Sequence, residues 1–140
     1  MGHHRSIGRL ISILHRASQI YFQRESQPLG LPYGQFQALH FIAQNEGLPQ
    51  CRIQDHFELD KGSVSSLMKG LEKNGFIERR QDKSDKRAFN IYLTEKAKRQ
   101  LPAIREVYRN WTMQLLDGFS DDEKEMLFGY MERMMANAKA

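Results

Sequence analysis

Between Gln50 and Leu93 the hydrophobic period of this chain switches from helical to alternating, and that switch limits the possible folds more than any other feature. Two short amphipathic helices are expected first, separated by a turn around Glu58 to Asp60, with Asp60 as the N-cap of the second. Val64, Leu67, Met68 and Leu71 give that second helix its apolar stripe, and Gly62, Ser66, Lys69 and Lys73 fall on its opposite side. Gly75 ends it. Phe76-Ile77 then opens a strand that becomes charged at Glu78-Arg79-Arg80, and Asp82-Lys83-Ser84-Asp85-Lys86 supplies turn chemistry. Phe89, Ile91 and Leu93 alternate with Asn90 and Tyr92, the period of a half-buried returning strand. Helix, turn, helix, strand, charged hairpin, strand is the order of a winged helix, a unit shaped to sit on a nucleic-acid duplex.

Charge follows the same boundaries. Lys61 to Arg99 carries eleven Lys/Arg against five Asp/Glu, whereas the rest of the chain carries ten against twelve. The net charge of +4 is therefore concentrated on one supersecondary unit, the footprint expected of a DNA-binding face. A length of 140 residues with 40% hydrophobic content fits one ordinary globular domain and argues against wholesale disorder. No apolar run is long enough for a membrane span, and the N-terminal stretch lacks the core and cleavage site of a secretory signal. A cytoplasmic location is the expectation. Cys51 is the single cysteine, which excludes an intrachain disulfide framework and fits a reducing compartment. No function is assigned to Met1-Gly2-His3-His4.

The flanks read as helices. Ile7, Leu10, Ile11, Leu14, Ala17, Ser18 and Tyr21 share one helical face, so a first helix is expected over about residues 5–25. Pro28, Gly30 and Pro32 break it, and a second helix carries Phe36, Leu39, His40 and Ala43, with Gly47 expected as its left-handed cap and Pro49 blocking continuation. Thr94 is the expected N-cap of a long helix striped by Leu101, Ile104, Tyr108, Trp111 and Leu115, in which Pro102 causes local distortion. Ser120-Asp121-Asp122-Glu123 is a capping box that opens a final helix with Leu127, Tyr130, Met131 and Met134 on one face. The fold class is thus mainly α, a winged helix-turn-helix with a two-stranded β wing between terminal helices. Two intertwined copies bury those terminal stripes more easily than one, and a symmetric dimer also offers two recognition helices to successive major grooves.

Leu31-Pro32-Tyr33-Gly34-Gln35-Phe36, Leu59-Asp60-Lys61-Gly62-Ser63-Val64-Ser65, Leu71-Glu72-Lys73-Asn74-Gly75-Phe76-Ile77-Glu78-Arg79-Arg80, Asp82-Lys83-Ser84-Asp85-Lys86-Arg87 and Leu93-Thr94-Glu95-Lys96-Ala97 follow one another at fixed spacing. In these motifs, and in helix order and length, nearly the whole chain resembles the MarR family of bacterial and archaeal winged-helix transcription regulators. The resemblance implies a single domain over 1–140, with 32–94 as the winged-helix DNA-binding part and 5–26 and 95–140 as dimerisation helices. It implies that Ser63, Ser65, Ser66 and Lys69 face the major groove of double-stranded DNA, and that Arg87 enters the minor groove, oriented by Asp85. Lys61, Gly62, Lys73, Arg79, Arg80, Lys83 and Lys86 complete the expected DNA-binding set. It further implies a homodimeric repressor of a pseudopalindromic promoter site, released by a small aromatic or phenolic effector in a crevice between the dimerisation helices and the winged helix, where His15, Arg16 and His40 are the candidates. Ser66, Gly70 and Glu58 depart from the family pattern, which has a basic residue, a larger residue and a turn glycine at those places.

Other readings of the same residues are simpler. The basic hairpin is also what a solvated surface looks like, the serines suit any helix start, and Arg16 suits a surface ion pair. Cys51 is expected as a small packed hydrophobe, with thiol-based oxidant sensing as the sharper alternative. His15, His40, His56 and Cys51 lack metal-ligand spacing, so no metal or cofactor is expected. Neither a nucleophile elbow nor a P-loop is present, and the chain reads as a regulator, not an enzyme. A winged-helix protein-interaction module without DNA binding is the remaining alternative.

Overall fold

The computed structural model describes residues 5–140; the opening tetrapeptide singled out above lies outside them. The helices are α1 (Ile7–Ser26), α2 (Tyr33–Gln44), α3 (Gln50–His56), α4 (Lys61–Lys73), α5 (Glu95–Leu115) and α6 (Asp121–Ala138), with strands β1 (Ile77–Gln81) and β2 (Phe89–Leu93) between α4 and α5. A short 3-10 turn over Gln27–Leu29 joins α1 to α2. The chain forms two compact units, Met1–Tyr108 and Arg109–Ala140.

In the first unit the apolar stripes meet as their spacing dictates. Phe36, Leu39 and Ile42 of α2, Ile53 of α3, Val64, Met68 and Leu71 of α4, Ile91 of β2 and Ile104 of α5 are all buried. Leu67 is only half-buried. The rings of Phe22, Phe36 and His40 gather on Tyr108, with centroids 4.7, 5.5 and 3.8 Å from it. Of the stripe expected on α1, only Tyr21 is buried, beside Phe22, whereas Ile7, Leu10, Ile11 and Leu14 are exposed. Leu101 and Ile104 of the α5 stripe are buried and Tyr108 is half-buried, and Pro102 lies inside an unbroken helix.

In the second unit α6 starts with the expected capping box: the Ser120 hydroxyl accepts from the Glu123 amide at 3.2 Å, and Glu123 Oε1 accepts from the Ser120 amide at 2.8 Å. Of its apolar residues, Met126, Phe128, Tyr130, Met131, Met134 and Met135 are exposed and Leu127 is half-buried.

The wing grows out of a tightly specified helix end. Gly75 takes φ +77°, and the Gly75 and Phe76 amides donate to the Glu72 and Leu71 carbonyls at 3.0 and 2.9 Å, a Schellman turn that sends the chain directly into β1. β1 and β2 pair antiparallel from Ile77 opposite Leu93 to Gln81 opposite Phe89. The outer edge of β2 is covered by the Gly47–Pro49 segment: Gly47 donates to the Ile91 carbonyl at 2.8 Å, and Ile91 donates to the Leu48 carbonyl at 2.9 Å. This corrects the expected role of Gly47. Asn45 caps α2, and Gly47, at φ +85°, lies two residues beyond, where its bare backbone fits beneath the Tyr92 ring.

Glu58 takes φ +52° in the turn between α3 and α4, the only non-glycine residue among those described with positive φ. A side chain in this region costs about 1–2 kcal/mol, part of which glycine's greater unfolded-state freedom offsets. Glu58→Gly should therefore raise unfolding stability by about 0.5–1 kcal/mol, read as a higher urea midpoint at unchanged slope; a lower midpoint would refute the strain.

Candidate nucleic-acid interface

Helix α4 carries the small polar face. Asp60 Oδ1 accepts from the Ser63 amide at 2.7 Å, and this bond from Ser63 is the first cause holding the Asp60 carboxyl below its ordinary range. Behind that cap, Lys61, Gly62, Ser63, Ser66, Lys69 and Lys73 are exposed, and Ser65 is half-buried. Gly62, Ser63 and Ser66 are small, so a base edge has close access to this face of the helix.

The wing tip is organised by Asp82, whose structural part the sequence reading missed beyond its turn chemistry. One of its oxygens accepts from the Ser84 amide (2.8 Å), the Ser84 hydroxyl (2.7 Å) and the Asp85 amide (3.1 Å), while the other accepts from Asn90 Nδ2 (3.1 Å). These donors, Ser84 foremost, hold its carboxyl far below the usual range. Lys83, Asp85 and Lys86 ride on this turn, all exposed. Arg87 donates its backbone amide to Asp85 Oδ1 at 3.0 Å and keeps its Nε 3.6 Å from the same oxygen, leaving its side chain 95% exposed.

The two arginines of β1 behave differently, because a strand turns alternate side chains to opposite faces. Arg79 lies over the Phe89 ring at 4.5 Å and reaches Glu72 of α4 at 3.9 Å, with its side chain only 23% exposed. Its Nε is buried without a hydrogen-bond partner. Arg80 lies over Tyr92 at 4.1 Å and pairs with Glu78 at 3.0 Å. Arg79 thus ties the wing to α4, and Arg80 occupies the other face.

Helix α4 and the wing share one feature, an open groove of about 330 Å³ bounded by Gln50, Cys51 and Gln54 of α3, Lys61 and Val64 of α4, and Arg87 to Phe89. Cys51 is exposed at its rim. The expectation of a packed, hydrophobe-like cysteine is therefore corrected: as the second residue of α3 its side chain falls on the face away from the buried Ile53.

The candidate effector residues are not all together. His40 is half-buried, stacked on Tyr108, and lines a cleft of about 290 Å³ with Gln37, Phe41, Gln44, His56, Phe57 and Tyr108. His15 and Arg16 are exposed on α1 and do not line it. Burial, and then the nearby Arg105 charge, lower the His40 pKa; burial pushes the Tyr108 hydroxyl up to about 12. No group of three or more metal-binding side chains occurs among the described residues.

A model of the MarR family matches residues 31–89. The chain is 30% identical over 133 residues, 95% of its length, to the uncharacterized HTH-type transcriptional regulator YybA of Bacillus subtilis (strain 168), of which it covers 86%. The structure of a MarR transcriptional regulator from Methanosarcina mazei Go1 superposes with a TM-score of 0.87 at 30% identity, covering 94% of this chain and 95% of that one. The chain belongs to the MarR family. A further MarR-family structure, from Listeria monocytogenes complexed with a 26mer DNA, matches at a TM-score of 0.87 and 31% identity, over 95% of this chain and 89% of that one. This MarR-family transcriptional regulator has the winged helix-turn-helix of its relatives, with α3 and α4 as the helix pair and β1 and β2 as the wing. None of its described helices is long and apolar enough to cross a membrane.

The His40 environment has a pH consequence. Because its folded pKa lies below the ordinary 6.5, the unfolded chain binds more protons there between the two values. The stability that depends on a neutral ring is complete above pH 6.5 and declines as pH falls through the folded value. Melting temperature should drop on acidification below pH 6.5, and His40→Phe, which keeps a ring on Tyr108, should flatten that limb. Parallel curves for both proteins would remove His40 as the cause.

Proposed function

We propose that this regulator is a homodimeric repressor that occupies a pseudopalindromic promoter site and leaves it when a small aromatic effector binds. The observation that carries the reading is the shared groove: Lys61 from α4 and Arg87 from the wing bound one open concavity. A duplex laid across α4 and the wing receives Ser63, Ser65, Ser66 and Lys69 in its major groove and Arg87 in the adjacent minor groove, where a narrow A/T-rich step concentrates negative potential. Gly62 allows close approach, Lys61, Lys73, Lys83 and Lys86 meet phosphates, and Asp85 orients Arg87. Arg79 holds the wing to α4, and Arg80 braces the wing internally against Glu78 and Tyr92. The exposed apolar faces of α1 and α6 favour a second copy as their cover. For the effector we assign the cleft at His40, whose stacked rings suit a flat ligand; His15 and Arg16 serve it from α1 of the dimer. The chain is a binding protein in this reading, without catalysis, working in the cytoplasm.

Fluorescence anisotropy on a duplex from the gene's own upstream region, beside a scrambled duplex and across a salt series, tests it. Affinity should favour the upstream duplex and fall steeply with salt, by a log–log slope of about −0.9 per neutralised phosphate. Arg87→Ala should weaken binding most at A/T-rich sites, and Lys69→Ala should also weaken it. Equal and weak binding to both duplexes would favour the interaction-module reading instead.

The exposure of Cys51 in that groove favours a second, compatible reading, oxidant sensing by its thiol. Peroxide should then weaken duplex binding reversibly in the unmodified protein and leave Cys51→Ser unaffected; equal sensitivity of both would discard it.

A further inference from the structure

The geometry points to Gln35, Asn74 and Lys96 as positioning residues that latch the C-terminal end of α4 and so set the angle at which the recognition helix is presented; this rests on the DNA-binding reading above. Asn74, the residue capping α4, is held from two sides. Its Nδ2 donates to Gln35 Oε1 of α2 at 3.0 Å, and its backbone carbonyl accepts from Lys96 Nζ of α5 at 2.6 Å. Lys96 is itself seated, with Nζ 4.6 Å over the Phe76 ring. Gly70 leaves room for the first tie: a Cβ there would lie 2.9 Å from Gln35 Nε2, so any larger residue at position 70 obliges the Gln35 amide to shift. This gives a physical reason for a glycine in the middle of a helix that otherwise disfavours it.

The latch matters because α4 is a lever. Thirteen residues span roughly 20 Å, so a tilt of about 10° about the N-terminal cap moves Lys69, about 13 Å along the helix, by about 2 Å, more than a base-edge hydrogen bond tolerates. Asp60 caps the N-terminal end through Ser63 of the same helix, a bond that does not constrain the angle. The buried stripe of Val64, Met68 and Leu71 resists rolling, but ridge packing admits a range of crossing angles. The polar ties to α2 and α5 remove that freedom. None of the three residues needs to touch DNA for this, and Gly70 faces α2.

Two variants separate positioning from folding. Asn74→Ala deletes the tie, whereas Gly70→Ala displaces the Gln35 amide while improving intrinsic helix propensity. Each should lower affinity for the preferred duplex by about threefold or more, with scrambled-duplex affinity and salt slope unchanged. Gly70→Ala should do so without a lower melting temperature, a split that a merely structural role does not produce. Amide hydrogen exchange over Leu71–Phe76 should speed up in both variants. The double exchange Gln35→Asn with Asn74→Gln, which conserves the combined reach, should restore affinity and protection. Full-affinity binding and unchanged exchange in Asn74→Ala and Gly70→Ala would overturn the latch. Should the unmodified protein prefer no duplex, the DNA-binding reading fails, and the exchange rates still decide whether the helix end is held.

Discussion

A left-handed glycine at position 75 is the constraint on which the DNA-facing half of the molecule depends. It lets α4 stop and β1 start without an intervening loop, so that the recognition helix and the wing are consecutive and their geometry is one problem. The same point receives α5: the Thr94 hydroxyl donates to the Gly75 carbonyl at 2.6 Å, and the Thr94 amide donates to the Phe76 carbonyl at 3.1 Å. With Lys96 bound to the Asn74 carbonyl, the end of α4, the root of both strands and the start of α5 share one small hydrogen-bonded knot. Any β-carbon at 75 strains the turn at its centre, and the strain falls on all three elements together.

Around that knot the chain separates apolar from electrostatic work. Burial is concentrated in α2, α3, α4, β2 and the first half of α5, and the aromatic cluster on Tyr108 connects α1 and α2 to α5. The cluster is also where a stacked histidine sits in a cleft, so an occupant there touches the helix that carries Gln35 to the end of α4. α2 thus connects the candidate effector cleft with the candidate latch.

Much of this was legible in the sequence, and the limits are physical. Local rules with one dominant cause read correctly: the Asp60 and Ser120 caps, the Gly75 helix end, the turn at Asp82 and the alternating β2 strand. Periodicity also identified the buried stripe of α4. It failed on α1, because a stripe says that a face is apolar and not which chain covers it. It misassigned Gly47, since a positive φ serves a β-edge turn as well as a helix cap. Cys51 was misread because seven residues of α3 give too little periodicity to fix its face. The Gln35–Asn74 tie spans two helices and has no local signature; Gly70, noted as a departure from the family pattern, was its only trace in the sequence.

The acidic residues of the basic face complete the argument for what that face does. None of Lys61, Lys69, Lys73, Lys83 and Lys86 is in an ion pair among the described residues. The carboxylates beside them are occupied otherwise. Asp60 accepts a helix amide, Asp82 accepts four bonds within the wing, and Asp85 binds the Arg87 amide. Each builds backbone geometry and leaves the neighbouring lysines uncompensated. Exposed pairs add little stability in any case, so their absence here costs the fold almost nothing. What it preserves is a set of solvated cations whose counterions can be displaced, which is the source of salt-dependent affinity for a phosphate backbone.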